Sequence, residues 1–278
     1  MIAQINNERI QVQAVWGRQG FTITSLKDLL FQKEWLYTES PFSGERRDTQ
    51  TFDDQYEGGM EFLFPSDEAE VFEGKDYQDH GILWRMAYQV NAEGNKLLAQ
   101  GFHRDAKLRC AYHLELEEAA VLLKIVIYNE SVEKLPYLAR LHPAFVLEED
   151  SRLLLHGVQV LFEPDGAYCS FCPEGEAGRQ VDIEKPKTWK NYDLFAHIKQ
   201  NCGEFEIHQK DRKVKIIYEE EKLPFLTVCS FLKAGKRIGI FEPANVPGIS
   251  LKSAAREGKI PVLLPGSGLE YQFKILLT

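Results

Sequence analysis

The chain has 278 residues, of which 44% are hydrophobic, so it can bury a large core and still form a single domain over residues 1–278. Its 42 acidic and 33 basic side chains give a formal net charge of −9. This balance argues against a surface for nucleic acid or anionic membranes, because both would require clustered Lys and Arg. A neutral small molecule is the more suitable partner.

The N-terminal segment from Met1 to Arg9 is too polar to resemble a signal peptide, and no apolar stretch is long enough to span a bilayer. We therefore expect a soluble, cytoplasmic protein that has no membrane partner. Five cysteines in a chain of this length do not make a disulfide scaffold. The pair Cys169 and Cys172 is a lone CxxC, which is typical of alternating strand residues and only weakly indicates a redox or zinc site.

In chain order, residues 41–58 form the most polar and turn-rich stretch, which predicts an excursion between strands at the rim of a binding site. Residues 121–128 are apolar enough for a strand that is covered on both faces. Residues 193–200 resemble a short helix, for which Asp193 is a candidate N-cap.

Further along, residues 205–208 and 214–218 flank a polar turn, which is a hairpin signal. Residues 250–259 predict a second short helix, capped by Ser250 and ended by Gly258. From Leu269 to Leu277, apolar and polar residues alternate as in a half-buried strand. The sequence therefore predicts an all-β protein of antiparallel sheets with few short helices.

Two ionisable residues immediately precede prolines, each at the end of an apolar run: His142 before Pro143, and Glu242 before Pro243. Because proline pushes the preceding residue toward extended geometry, we expect each side chain at a strand's edge or end, where a cleft can use it as an acid or base. A strand-ending Glu that meets a Lys, and a packed His, are the structural alternatives. His80 adds a second histidine in a turn-like Asp-His-Gly setting.

The segment 58–66, the run Asp79-His80-Gly81-Ile82-Leu83-Trp84, Asn129-Glu130-Ser131, residues 135–145 and Glu242-Pro243 together resemble the aldose 1-epimerase family, the galactose mutarotase-like proteins. These markers occur in the family's order and cover most of the chain. The chain looks most similar to a divergent branch of the family. The resemblance implies a β-supersandwich of antiparallel sheets with a sugar-binding cleft on a concave face.

In that family a glutamate is the general base on the anomeric hydroxyl and a histidine is the general acid on the ring oxygen. The resemblance assigns these roles to Glu242 and His142, and makes His80 a hydrogen-bond donor to the sugar. The structural alternative for His80 is a turn histidine bonded to Asp79. The implied activity is mutarotation of an aldose or aldose derivative, without a cofactor or a metal. We expect the three side chains to converge on one cleft, with a pyranose between Glu242 and His142.

Three other residues are candidates for contact with the substrate. Arg140 lies two residues before His142, so both project from one face of a strand, where the guanidinium either grips the substrate or is a solvated edge charge. Asp193 loosely resembles an acidic substrate ligand of the family. Trp84 either stacks on a sugar face or is buried.

The chain departs from the family at the arginine of a Gly-Arg-x-x-Asn-Arg-like segment, and Arg85 is a candidate substitute. Substrate identity is therefore not inherited. The alternatives are a non-catalytic carbohydrate-binding or sensor protein of the same fold, and a hexose-phosphate mutarotase, which would need a basic pocket. The other histidines lack paired ligand spacing, so we expect surface or core positions rather than metal ligation for His103, His113, His156, His197 and His208.

Overall fold

A computed structural model describes residues 1–17, 20–43, 52–162, 168–169, 179–181, 194–256, 258 and 260–278. Strands make up 59% of the structure and helices 5%, so the all-β prediction is confirmed. The helical elements are α1 (Phe52–Gln55), α2 (Leu251–Arg256) and a 3-10 turn at Leu83–Arg85.

The strands follow in chain order: β1 (Ile2–Asn6), β2 (Ile10–Trp16), β3 (Phe21–Asp28), β4 (Lys33–Glu34), β5 (Met60–Leu63), β6 (Glu70–Phe72), β7 (Lys75–Tyr77), β8 (Tyr88–Glu93), β9 (Lys96–His103), β10 (Leu108–Glu117), β11 (Ala120–Asn129), β12 (Leu135–Pro136), β13 (Arg140–Leu147), β14 (Arg152–Leu155), β15 (Val158–Phe162), β16 (Tyr168–Cys169), β17 (Arg179–Val181), β18 (Leu194–Gln200), β19 (Glu204–Gln209), β20 (Arg212–Tyr218), β21 (Phe225–Lys233), β22 (Lys236–Ala244), β23 (Val262–Leu263) and β24 (Gly268–Leu277).

In the described part of the chain, the strands form two large antiparallel sheets. The first has eleven strands in the order β1-β2-β3-β5-β13-β22-β21-β18-β15-β16, with β4 paired to β3. The second has nine strands in the order β17-β14-β19-β20-β24-β11-β10-β9-β8. Two small pairs, β6-β7 and β12-β23, complete the structure.

The main core lies between these sheets. Phe62 on β5 contacts Tyr271 on β24, with ring centroids 5.0 Å apart, and Phe241 on β22 contacts Phe205 on β19 at 5.9 Å. Full burial of such a side chain contributes about 1.5–3 kcal/mol. Because side chains alternate along a strand, burying Phe241 in the core turns its neighbour Glu242 to the opposite face of the first sheet.

The hairpin prediction is confirmed by β19 and β20, the second helix by α2 and the C-terminal strand by β24. The helix predicted for residues 193–200 is wrong, since residues 194–200 form β18 between β15 and β21. Successive side chains of β18 from Ala196 to Ile198 are buried, so both faces of the strand are covered there and the two-residue period of a half-buried strand is absent.

Strand β11 is also not covered on both faces. Its inward residues are buried, but the other face is half-buried or exposed at Leu122, Lys124, Val126 and Tyr128. Of the predicted CxxC pair, Cys169 lies in β16 and Cys172 lies outside the described residues. No described helix has the length and hydropathy needed to traverse a bilayer.

Candidate active site

His142 and Glu242 are carried by neighbouring strands, β13 and β22. The register pairs Arg140 with Ala244 and Ala144 with Ile240, which places His142 opposite Glu242. The sequence predicts strand edges or ends for these residues, and the edge alternative is wrong: both lie near strand ends, but in the interior of the first sheet. The sheet therefore supports the two side chains from both sides.

The two candidate catalytic groups are in contact. Nε2 of His142 lies 3.4 Å from Oε1 of Glu242, and each side chain is 7% exposed. The expectation that a pyranose fits between them is wrong, because this separation leaves no room for a ring. A ligand would have to lie over the pair.

Arg140 occupies the same face of β13 as His142 and is fully buried, at 1% exposure. One guanidinium nitrogen, Nη1, lies 2.8 Å from Asp67 Oδ2 and donates to Glu242 Oε2 at 3.1 Å. The other, Nη2, donates to the carbonyl of Gly248 at 2.5 Å. The guanidinium is therefore a buried internal counterion and not a solvated edge charge.

A second row of polar side chains supports this ion pair from the adjacent strands. The register aligns Glu242 with Thr227 on β21, and Thr227 with His197 on β18. Arg140 Nη1 donates to Thr227 Oγ1 at 3.3 Å, and the hydroxyl lies 2.9 Å from Nδ1 of His197. Because the hydroxyl accepts from the guanidinium, its own hydrogen can be donated to the imidazole.

His80 is held in a tight turn beside this group. Its backbone has φ +56°, and Gly81 follows at φ +72°. A Cβ on Gly81 would lie 2.2 Å from the carbonyl oxygen of Phe64, so only glycine fits there. Nδ1 of His80 lies 2.7 Å from Oδ1 of Asp79, and Trp84 Nε1 donates to the Asp79 carbonyl at 3.1 Å.

An aromatic wall closes the site on one side. The ring of Phe52 stacks on His80, with centroids 3.6 Å apart and planes 3° from parallel. Phe52 and Tyr56 also present edges to His142, at 5.3 and 5.6 Å. Both aromatic residues come from the polar excursion 41–58, which the sequence places at the rim of a binding site; residues 44–51 lie outside the described residues.

These side chains open on one cavity of about 510 Å³, which is within the size range of small-molecule sites. Four carboxylates and two basic groups besides the histidines contribute to its lining. The lining residues are Phe52, Tyr56, Asp67, Glu68, Asp79, His80, Arg140, His142, Phe195, Cys229, Phe231, Leu232, Lys233, Ile240, Glu242 and Ile249.

Burial and neighbouring charges shift the pKa values of these groups in different directions. Burial raises the pKa of Glu242 to about 7, against the opposing charge of Arg140, and Asp67 raises it further. Burial, then His80 and then Arg140 lower the pKa of His142 well below its ordinary value. Burial lowers the pKa of His80, but Asp79 and Asp67 outweigh burial and raise it overall.

The remaining predicted site residues are placed differently. Trp84 is 1% exposed and packs its ring against Phe52, behind the cavity. Arg85 stacks on Trp84 at 4.5 Å. Neither is found among the described residues that line the cavity. Asp193 lies outside the described residues.

Sequence reasoning missed Asp67, Phe52 and Tyr56. Asp67 directly follows the Gly58-to-Ser66 segment that carries the family resemblance, and this position is the one signal that points to it. Its buried contact with Arg140 depends on a strand more than 70 residues later, which local sequence does not reveal.

A cluster of side chains of the types that bind metals lies elsewhere. Among the described residues, ligand atoms of His156, Glu204 and Glu206 lie within 4.8 Å of one another. Lys215 lies 2.8 Å from Glu204 and 3.4 Å from Glu206, so an ammonium group already provides a positive charge there. This cluster is separate from the cavity residues.

Solved structures define the class of fold. A galactose mutarotase-related enzyme from Lactobacillus acidophilus aligns over 100% of this chain and 97% of its own, with a TM-score of 0.72 and 16% identity. A galactose mutarotase-like protein from Lactobacillus casei aligns over 100% of both chains, with a TM-score of 0.72 and 14% identity. The chain therefore has the galactose mutarotase-like fold, as predicted.

A protein from Synechocystis sp. PCC 6803 is also similar, with a TM-score of 0.77, 16% identity, and coverage of 100% of this chain and 96% of that one. No family model matches the sequence, and the comparison with curated proteins finds no match. At these identities the structural likeness establishes the fold alone, so the activity has to be argued from the site.

Proposed function

We propose that this protein is an aldose 1-epimerase, which interconverts the α and β anomers of an aldose. The observation that carries the proposal is the shared cavity of Glu242, His142 and His80, in which burial raises the pKa of Glu242 to about 7. A carboxylate that titrates near neutrality is an effective general base. The names of the structural neighbours from the two lactobacilli support the same class of reaction.

In this mechanism Glu242 takes the proton from the anomeric hydroxyl while the histidine pair supplies a proton to the ring oxygen. The C1–O5 bond breaks, the open-chain aldehyde rotates about C1–C2, and O5 attacks the other face of C1. Coupling the two proton transfers avoids a free alkoxide. Arg140 stabilises the ionised form of Glu242 through its 3.1 Å contact, so the base remains available near neutral pH.

The charges of the cavity favour a sugar without an acidic substituent. Arg140 already contacts Asp67 and Glu242, and Lys233 at the cavity lies 2.8 Å from Glu39. A phosphate or carboxylate on the sugar would face buried acidic groups and would have to displace one of them from its cation. We therefore favour neutral aldoses over hexose phosphates.

Thermal-shift measurements across monosaccharides, uronic acids and sugar phosphates would first identify sugars that bind, because a ligand of the folded state raises Tm. Polarimetry or saturation-transfer NMR of the freshly dissolved binders would then measure the approach to anomeric equilibrium. We expect at least one neutral aldose to equilibrate faster with protein than with buffer. Binding without acceleration would instead assign the protein as a carbohydrate-binding or sensor module.

A further inference from the structure

We propose that His80, rather than His142, carries the proton that ring opening transfers to the sugar ring oxygen, and that the carboxylates of Asp79 and Asp67 keep that proton on the imidazole. This inference rests on the proposed function and names the acid within the same site. It reverses the roles that the family resemblance gives to the two histidines.

Two carboxylates face the His80 ring from different elements. Oδ1 of Asp79 lies 2.7 Å from Nδ1, and Oδ2 of the same carboxylate accepts the Phe52 backbone N–H at 2.6 Å, which fixes its orientation. Oδ1 of Asp67 lies 3.8 Å from Nε2, beyond hydrogen-bond distance. The Nδ1 proton is therefore committed to Asp79, whereas the Nε2 proton can be delivered to a ligand.

His142 has the opposite surroundings. The Arg140 guanidinium lies on its own strand face, and the His80 ring centroid is 5.7 Å away at 81°. Glu242 approaches it with Oε1 at 3.4 Å, while the other oxygen of the same carboxylate, Oε2, accepts from Arg140, so the two cations would share one negative charge. Two imidazolium ions this close, beside a guanidinium, would repel one another, so the site favours one charged ring.

The groups that face His80 decide which ring is charged. Asp79, Asp67 and Glu242 favour its imidazolium form, while burial opposes it. The pKa of His80 is raised overall and that of His142 is lowered well below its ordinary value. Burial raises the pKa of Asp79, but its hydrogen bond to His80 and the charge of that ring, with smaller contributions from the Phe52 N–H and Arg85, outweigh burial and lower it overall.

The stacked Phe52 ring adds a favourable contact for a cationic imidazole, because the face of an aromatic ring attracts positive charge. His80 is also held at φ +56°, a conformation that non-glycine residues rarely adopt. The hydrogen bond from the His80 N–H to the Asp67 carbonyl stabilises this turn. The ring is thereby oriented by groups on three separate segments.

Protons and electron pairs balance in the ring-opening step. Glu242 takes the O1 proton, the O1–H electron pair forms the C1=O1 bond, and the C1–O5 pair goes to O5, which takes the Nε2 proton of His80. The products are a protonated Glu242, a neutral His80 and the open-chain aldehyde. Ring closure returns both protons in reverse, and His142 remains neutral as a hydrogen-bonding partner of the sugar.

The test uses variants of the intact protein with a sugar that the wild type equilibrates. We expect His80→Asn to lower kcat by about two to four orders of magnitude, and His142→Asn by tenfold or less with a higher KM. Asn is a suitable replacement because it tolerates positive φ better than most residues. His113→Asn, at an exposed histidine of the second sheet, is the matched control and should leave kcat unchanged.

Asp79→Asn tests the charge argument without removing either histidine. Active enzyme requires Glu242 ionised and His80 protonated, so the alkaline limb of the pH profile reports His80. Removing its carboxylate partner should move that limb to lower pH by about one unit, whereas Asp76→Asn, at an exposed position, should not move it. If both histidine variants lose activity, this shift supports the proposal and its absence overturns it.

Ring ¹⁵N shifts of labelled histidine in the free protein provide a readout that does not depend on activity, with peaks assigned from the two Asn variants. Over a pH titration we expect His80 to remain imidazolium to a higher pH than His142, because their pKa values are shifted in opposite directions, and the reverse order would overturn the assignment. An active wild type in which only His142→Asn is impaired would refute it and leave the proposed function standing. A wild type that accelerates no sugar removes the proposed function itself.

Discussion

The imidazole of His142 and the carboxylate of Glu242 face each other across neighbouring interior strands, with 3.4 Å between Nε2 and Oε1. These residues are 100 positions apart, and the register of β13 against β22 brings them together. The carboxylate is also bound by Arg140 at 3.1 Å, so its ionisation responds to an imidazole, a guanidinium and burial together.

Replacing Glu242 by Gln should remove the general base while nearly preserving shape. We expect kcat to fall by about two to four orders of magnitude with sugar affinity largely retained. Polarimetry on a sugar that binds gives kcat, and thermal shift gives affinity. Glu115→Gln is the matched control, because Glu115 pairs with Lys96 on the second sheet, away from the cavity. An active Glu242→Gln variant would contradict the role.

The same substitution should change how stability depends on pH. The folded pKa of Glu242 is raised, so its contribution to stability is fully present below the ordinary value of 4.5 and is lost as the pH rises through about 7. Glutamine stays neutral. We therefore expect wild type to lose stability relative to Glu242→Gln as the pH rises from about 4.5 to about 7. The difference in free energy of unfolding, variant minus wild type, should increase by roughly 1–3 kcal/mol over this pH range. Urea unfolding at several pH values measures it, and a constant difference would refute the prediction.

Thr227 should act as a positioning residue for Arg140. In Thr227→Val the guanidinium loses its contact at 3.3 Å and Nδ1 of His197 loses its contact at 2.9 Å. We expect a loss of about 1–3 kcal/mol in unfolding free energy and a several-fold lower kcat with KM nearly unchanged. Thr227→Ser keeps the hydroxyl and should restore both; equal damage in the two variants would show that the methyl group, not the hydroxyl, matters.

Gly81→Ala should disrupt the turn that carries His80. Its Cβ would lie 2.2 Å from the Phe64 carbonyl oxygen, at φ +72°. Gly74→Ala is a matched control, since Gly74 has φ +76° with nothing within 4 Å of a Cβ. We expect Gly81→Ala to cost about 2–4 kcal/mol of unfolding free energy and Gly74→Ala about 1 kcal/mol. Equal losses would show that the close approach to Phe64 is unimportant.

The amino-acid sequence by itself determines much of the sheet structure. Alternation from Leu269 to Leu277 and the hairpin around residues 205–218 are local patterns, because a strand with one buried face repeats every two residues. It also singles out His142 and Glu242, since each precedes a proline that restricts its backbone, and His80, which precedes a glycine typical of a tight turn. Local patterns fail at β18, where side chains on both faces are buried from Ala196 to Ile198 and the two-residue signal is lost.

Only the tertiary structure decides how the site is charged. Asp67 is one carboxylate among 42 acidic residues in the sequence, and its contact with the buried Arg140 arises from the pairing of distant segments. The contact between His142 and Glu242, which excludes a sugar ring from between them, likewise depends on strand register. Because pKa shifts follow distance and burial, the opposite shifts of His80 and His142 become visible only when the strands and turns are assembled.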